Sequence, residues 1–113
     1  MSKSFQPRGE TILSGATATG AGTAYVMRAE GTCTFQGYGA TSAGAGASVI
    51  DVQVSNIEAP GTNDWKTIGS ITLTLSTTRS SDVFAVDAKY MWVRGNVASI
   101  SGTGATVSLR FVG

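Results

Sequence analysis

Residues 48–56, SVIDVQVSN, decide the fold class of this chain. Apolar side chains stand at every second position from Ile50 to Val54, and polar ones such as Asp51 and Gln53 stand between them. Successive side chains of a β-strand point to opposite faces, so this alternation predicts a strand with one face in a core and the other in water. We find no long stretch with the 3.6-residue period of an amphipathic helix.

Other segments repeat this two-residue period on both sides of the first one. We predict further strands at 23–29, 32–40, 65–76, 83–87, 89–100 and 105–112. Ile68 falls out of phase with its neighbours, so we expect a β-bulge near Gly69. Short connections predict a hairpin between the first two of these strands and another through SGTG, residues 101–104. Seven to eight strands in one short chain indicate an all-β fold, a jelly-roll-like antiparallel β-sandwich.

Segments rich in small residues separate the predicted strands. GATATGAGT, residues 15–23, has the glycine spacing of half a P-loop, but Ala21 and Gly22 stand where Lys and Ser or Thr would hold phosphate and magnesium. We therefore interpret it as a conformable connecting segment. We predict a second loop of small residues at 41–47 and a turn region at 57–64, which contains Pro-Gly.

The first twelve residues differ from the rest of the chain. They are polar, with Phe5 isolated among them, so we predict a flexible N-terminal arm at 1–12 and a single β-sandwich domain at 13–113. An arm of this kind is useful mainly when it orders on a partner. Phe5 and Arg8 are therefore candidate interface residues.

The composition excludes several classes of function. Charged residues make up only 13% of the chain and the net charge is +1, without any basic run, so nucleic acid is not an expected partner. No apolar run approaches the roughly 20 residues of a transmembrane helix, and we expect no membrane partner. The first residues contain no apolar core of a signal peptide, so we expect synthesis in a cytoplasm.

The chain is poor in the residues that carry catalysis. It has no histidine and one cysteine, which removes the ordinary zinc site and the Ser-His dyad, so we predict no metal, no cofactor and no enzymatic activity. Cys33 alternates with Phe35 and is expected to lie in the core. Asp64, Asp82 and Asp87 lie near predicted turns, and we interpret them as turn-capping acids rather than a glycosidase pair.

Aromatic residues are the remaining candidates for a binding site. A sugar-binding platform or, alternatively, packing in the core or in an interface would use five of them: Tyr25, Tyr38, Trp65, Tyr90 and Trp92. In YMWVR, Tyr90, Trp92 and Arg94 alternate with apolar residues, and aromatic residues with Arg are typical of interface cores. We therefore predict an interface at Tyr90, Trp92 and Arg94. Asp51 and Gln53 could bind calcium with the acids of the 57–64 loop, but there is no EF-hand pattern, and we interpret them as part of a solvated strand face.

Two segments resemble a known group of proteins. NDWKTIGSITLTLS (63–76) and DAKYMWVRGNVASISGTGATVSLRFVG (87–113) are similar in style and order to small structural proteins of tailed bacteriophages, including capsid cement or decoration proteins with a jelly-roll-like sandwich. The resemblance covers about residues 10–113 and contains no catalytic signature. It identifies no functional residue by motif.

The resemblance implies a location and partners. It implies a homo-oligomer, a dimer or a trimer, that binds the phage major capsid protein on the outside of a virion head and clamps neighbouring capsid subunits, after synthesis in the host cytoplasm. Two alternatives remain open from the sequence. One is a carbohydrate-binding or receptor-binding module of a phage tail, and the other is a tail or connector component.

Overall fold

A computed structural model describes residues 9–27, 32–87 and 90–113 of the 113-residue chain. These residues contain nine strands and a single 3-10 turn, Thr62–Asp64. The strands are β1 (Gly9–Ala16), β2 (Gly20–Ala21), β3 (Tyr25–Val26), β4 (Thr32–Ala40), β5 (Ala43–Ser55), β6 (Lys66–Leu75), β7 (Ser80–Asp87), β8 (Trp92–Thr103) and β9 (Thr106–Val112). Within this part of the chain, no helix has the length and apolar character needed to cross a membrane.

The strands form two antiparallel sheets, which confirms the predicted all-β sandwich. The four-stranded sheet has the order β1-β9-β4-β7. The five-stranded sheet has the order β2-β8-β5-β6, and β3 also pairs with β8 beside β2. The strand count exceeds the predicted seven to eight because β1 and β2 have no counterpart among the predicted strands.

The inward faces of the two sheets enclose one hydrophobic core. Ile50 and its alternate neighbours on β5 are almost completely buried, as the two-residue period predicts. From the four-stranded sheet, Phe35 contributes the largest fully buried side chain, with its ring 5.2 Å from that of Phe111. Between the sheets, Gly37 leaves room for Ile71, because a Cβ on Gly37 would lie 2.9 Å from Ile71 Cγ2. Burial of these apolar side chains stabilises the sandwich by roughly 1.5–3 kcal/mol for each large one.

The register of β6 contains the predicted bulge. Val52 pairs with Gly69, whereas the next residue of β5, Gln53, pairs with Thr67, so Ile68 is the extra residue. The extra residue shifts the alternation of side chains between the two faces of the sheet, which explains why Ile68 is out of phase with its neighbours. It leaves Ile71 and the alternate residues after it facing the core.

Both predicted hairpins are wrong, because each connection passes from one sheet to the other. β3 belongs to the five-stranded sheet and β4 to the four-stranded sheet, and the same holds for β8 and β9. At the second connection Gly102 and Gly104 have φ of 119° and 61°, which lets the chain turn out of the plane of β8. Of the predicted strand 23–29, the structure describes residues 23–27, and among these only Tyr25–Val26 form a strand.

The predicted loop at 41–47 is also corrected. β5 begins at Ala43 and pairs through this segment with β8 and β6. Small side chains give no alternation from which a strand can be predicted, and backbone pairing alone orders them. Gly46 lies so close to the backbone carbonyl of Ser101 that a Cβ would collide with it.

The amino-terminal boundary differs from the predicted one. Residues 9–12, assigned to the arm, belong to β1, and Ile12 is buried in the core with only 2% of its surface exposed. Pairing with β9 orders this polar stretch, and that non-local contact is invisible in its composition. Phe5 and Arg8 of the predicted arm lie outside the described residues. Farther along, GATATGAGT connects the two sheets, with Gly15 and Gly20 at φ of 61° and 138°.

Candidate functional site

The outer face of the five-stranded sheet carries Trp92 and Arg94. Strand β8 alternates strictly here: Val93 is buried in the core, and the two residues on either side of it are half-buried on the opposite face. Trp92 lies opposite Ser55 of β5 and Val26 of β3. The strand register therefore places a large aromatic ring at one end of β8, on a face that in most antiparallel sandwiches is polar.

Arg94 joins this face to a second indole. Its guanidinium carbon lies 4.3 Å from the ring centroid of Trp65, which directly precedes β6, in a cation–π contact. Arg94 Nε donates a hydrogen bond of 2.8 Å to Gln53 Oε1, and Gln53 Nε2 lies 3.4 Å from Thr67 Oγ1. The Arg94 side chain is thus held in position by Trp65, which stacks on its guanidinium plane, and by Gln53, which bonds to its edge.

Burial lowers the pKa of Arg94 from its ordinary value. The group nevertheless stays charged, since a guanidinium does not lose its proton in proteins. Only Nε has a hydrogen-bond partner among the described residues, which leaves the terminal nitrogens as donors. The site thus contains a fixed positive charge with unused donors.

The two indoles and Arg94 line an open groove of about 460 Å³, here called the Trp groove. The residues that line it are Ala24, Glu58, Ala59, Pro60, Trp65, Trp92 and Arg94. Its volume is within the range of small-molecule sites, roughly 300–1,000 Å³. The groove combines apolar surface with one acidic and one basic side chain.

The turn after β5 builds one wall of the Trp groove. Ile57 N donates to Ser55 Oγ over 3.1 Å, and Gly61 N donates to Asp64 Oδ2 over 2.7 Å. These bonds fix the two ends of the turn that presents Glu58 and Pro60. The predicted turn at 57–64 is confirmed, and Asp64 has the turn-capping role expected for it.

The indole of Trp92 faces the Trp groove with carbon rather than nitrogen. Its Nε1 is buried and has no acceptor among the residues that the structure describes. Since the side chain as a whole is only half-buried, the atoms exposed to the groove are ring carbons. A ligand would therefore meet a hydrocarbon surface at Trp92.

A row of polar side chains continues the outer face beyond Arg94. Asp51 lies opposite Asn96 on one side and Ser70 on the other. Ser70 Oγ donates a 2.7 Å hydrogen bond to Asp51 Oδ1. Asp51 and Gln53, the pair considered for calcium, are thus bonded to Ser70 and Arg94, and the described residues contain no cluster of three or more acidic, Cys or His side chains.

The structure separates the five candidate aromatic residues. Trp65 and Trp92 meet in the Trp groove, whereas Tyr25 and Tyr90 pack against the core. Tyr38 lies on the outer face of the four-stranded sheet, with Arg79 over its ring at 4.9 Å. The predicted interface set is divided in the same way: Trp92 and Arg94 share the groove and Tyr90 is not among its lining residues.

Ala24, Glu58 and Pro60 line the Trp groove although no sequence pattern predicts them as part of a site. They come from a connecting segment and a turn, and no spacing rule links either to β8. Gln53 was considered only as a calcium ligand. Its position opposite Arg94 follows from the β5–β8 register and from no local signal.

The remaining chemically active groups lie away from the Trp groove. Cys33 is buried, as predicted, and burial raises the pKa of its thiol, which makes it a core residue rather than a nucleophile. Asp82 and Asp87 both belong to β7, and Asp82 Oδ1 accepts from Val83 N while Asp87 accepts from Thr32. None of these three lines the groove.

Comparison with known proteins gives little further information. No protein-family model and no curated protein matches the chain. A solved structure described as "CBM4 structure and function" is similar over 93% of this chain and 67% of its own length, at 14% sequence identity and a TM-score of 0.48. Similarity at this level carries no argument about ligand or activity. The resemblance to phage virion proteins is not tested by these comparisons and stays a prediction.

Proposed function

We propose that the protein is a non-catalytic module that binds carbohydrate in the Trp groove. One observation carries the proposal: two indoles and a hydrogen-bonded guanidinium line a single open groove on the outer face of a sheet. Large aromatic side chains on a solvent-facing surface indicate a contact site, because leaving their large apolar surface in water is unfavourable in free energy.

The chemistry of the groove fits a sugar ring. A pyranose has C–H faces and a rim of hydroxyl groups. Carbon surfaces of Trp65 and Trp92 fit the former, while the terminal nitrogens of Arg94 and the carboxylate of Glu58 supply donors and acceptors for the latter. The acidic and basic groups offset each other, so we propose a neutral oligosaccharide rather than an acidic one.

The groove suits binding rather than hydrolysis. Glu58 is the only carboxylate among its lining residues, whereas glycoside hydrolysis in most families needs two facing carboxyl groups. The adjoining polar row, including Asp51 and Asn96, lies along the same face and would accommodate further sugar units of a longer chain.

Titration with neutral oligosaccharides tests this proposal. We would first screen a glycan array and then measure affinities by calorimetry for the wild type, Trp65→Ala and Tyr38→Ala. Trp65→Ala removes the ring beneath Arg94 and should weaken binding at least about tenfold, or ~1.4 kcal/mol. Tyr38→Ala removes the equivalent stacked ring of the other sheet and should leave the affinity unchanged. Equal effects of the two variants, or no glycan bound at all, would contradict the proposal.

The capsid-binding interpretation is the second candidate, and a different observation favours it. Val26, Ile57 and Met91 expose 52%, 49% and 42% of their surface. They adjoin Trp92: Val26 pairs with it, Met91 precedes it, and Ile57 follows Ser55, which also pairs with it. Exposed apolar side chains grouped in this way are typical of protein-contact surfaces.

Co-sedimentation with purified phage capsids tests the second candidate. Ile57→Asp should abolish binding to capsids and leave glycan binding intact, because Ile57 is not among the residues that line the Trp groove. Trp65→Ala should have the opposite pattern. Capsid binding that survives Ile57→Asp and Met91→Glu together would eliminate this surface as the docking site.

A further inference from the structure

Strand β7 is the one edge among the described residues that has no register shift, no lysine and more than two residues, and its charged side chains are Asp82 and Asp87. The sheets have four edges, formed by β1, by β7, by β2 with β3, and by β6. β1 has two register shifts, β2 and β3 have two residues each, and β6 contains the bulge at Ile68 and begins at Lys66. Bulges, short strands and lysines all hinder pairing with another chain. β7 has eight residues in unbroken register with β4 and contains no Pro or Lys.

The backbone of Val83, at the middle of β7, points away from the sheet. Its N–H donates to Asp82 Oδ1 over 2.9 Å and is therefore turned away from β4. In an antiparallel strand the N–H and C=O of one residue point the same way, so the Val83 carbonyl also faces outward. The Val83 side chain is 54% exposed. The outward edge of β7 thus offers a donor and an acceptor at one residue, as a two-fold pairing requires.

We propose that β7 pairs with β7 of a second copy of this chain, antiparallel and centred on Val83, so that one sheet runs through a two-fold dimer. In this register each Val83 exchanges both backbone hydrogen bonds with Val83 of the second copy. Two residues on, Ser81 lies opposite Ala85, and a further two residues on, Arg79 lies opposite Asp87 of the second copy. Both are exposed, and the symmetry repeats this pairing of opposite charges.

The charges favour this register over two others. Centring the pair on Asp82 would place two like carboxylates directly opposite each other, which destabilises a strand pair. Centring it on Ala85 would place Asp87 opposite Val83 and leave Arg79 beyond the paired residues. The register centred on Val83 therefore combines matched charges with matched apolar side chains.

Asp82 controls access to this edge. Its carboxylate occupies the N–H of Val83 that the second copy would use, so pairing requires the Asp82 side chain to turn away. Dimerisation therefore breaks the hydrogen bond from Val83 N to Asp82 Oδ1, and the loss of this bond weakens the dimer. Removing the carboxylate should strengthen dimerisation, whereas removing a side chain that merely contacts the partner would weaken it.

Sedimentation velocity of the full chain over a concentration series tests the proposal. We expect the wild type to approach 23 kDa, twice the 11.5 kDa of one chain. Val83→Pro removes an N–H that the β4 ladder does not use, so the variant should keep its β circular dichroism and remain monomeric. A wild type that stays monomeric at the highest concentration, or that forms a trimer, would overturn the proposal, as would a folded Val83→Pro that dimerises normally.

A charge exchange keeps the proposal testable if Val83→Pro fails to fold. Arg79→Glu and Asp87→Arg should each weaken dimerisation about tenfold, and the double variant should restore it, because each charge faces the other across the axis. Asp82→Ala should tighten the dimer. Failure of the double variant to recover, or weaker association of Asp82→Ala, would contradict the register centred on Val83.

Discussion

The outer faces of the two sheets each carry an arginine stacked on an aromatic ring, and they differ in what surrounds that stack. Arg79 lies 4.9 Å above Tyr38 on the four-stranded sheet, where Arg79 itself is exposed. Arg94 lies 4.3 Å above Trp65, is half-buried, and bonds to Gln53. The Arg94 stack lines the Trp groove together with a second indole and the turn after β5.

An arginine stacked on an aromatic ring does not make a binding groove by itself. Arg79 and Tyr38 are held together at the surface, where such contacts are worth roughly 0.5–1 kcal/mol. Arg94 is held in position by Gln53 of β5 and by Trp65, just before β6, so a ligand would meet it already positioned. The face with Arg94 has a wall, formed by the turn after β5, and an arginine held in a fixed position. Both features arise from contacts between segments that are far apart in the sequence.

The largest difference between the faces should appear when the aromatic rings are removed. Trp92→Ala should lower the free energy of unfolding by about 2 kcal/mol, since a half-buried indole with a buried nitrogen edge loses much of its packing. Tyr38→Ala should cost less than about 1 kcal/mol. Urea denaturation of both variants measures this, and equal losses would show that the two faces are packed alike.

A smaller effect is expected for the two arginines. Arg94→Met keeps the length of the side chain but removes the charge and the donors, so it should weaken glycan binding about tenfold while changing stability by less than about 1 kcal/mol. Arg79→Met is the matched control and should leave glycan affinity unchanged, with a similarly small loss of stability. Calorimetry and thermal melts separate the two effects. A normal affinity for Arg94→Met would mean that the guanidinium only supports Trp65.

The smallest effect is expected when a second aromatic ring is added to the outer face of the four-stranded sheet. Ser81 lies opposite Tyr38, so Ser81→Trp would reproduce on the four-stranded sheet the combination of two rings and one arginine. We expect no new glycan binding, because Arg79 is exposed, whereas Arg94 is half-buried and bonded to Gln53. The variant should be assayed as a monomer, since Ser81 also lies on the proposed dimer edge. Gain of glycan affinity would show that rings and charge alone suffice.

The alternation of β5 and β8 made the central part of the fold predictable. Ile50 and Val93 lie in the core as their spacing predicts, and Ile68 forms the bulge. Predictions failed where the signal was non-local. Residues 9–12 and 43–47 lack an apolar period and become strands because β9, β8 and β6 pair with them.

The sequence predicted individual residues of the candidate site but not that they lie together. Trp65 and Trp92 were two of five candidate aromatic residues and Arg94 was a predicted interface residue, but Tyr25, Tyr38 and Tyr90 were candidates in the same way. The structure brings the first three together and assigns the others to the core or to the opposite sheet. Ring type and spacing do not contain this distinction.

The sequence by itself determined that the chain forms strands, which residues of each strand share a face, and where β6 must bulge. These properties follow from the two-residue period of an extended backbone and involve only neighbouring residues. Tertiary structure decided which sheet each strand joins, and therefore which outer face receives the turn at 57–64. That choice depends on pairings such as Ser55 with Trp92, 37 positions apart, whose stability comes from the core that all the strands build together. The Trp groove exists because of those pairings, and no segment of the chain specifies it alone.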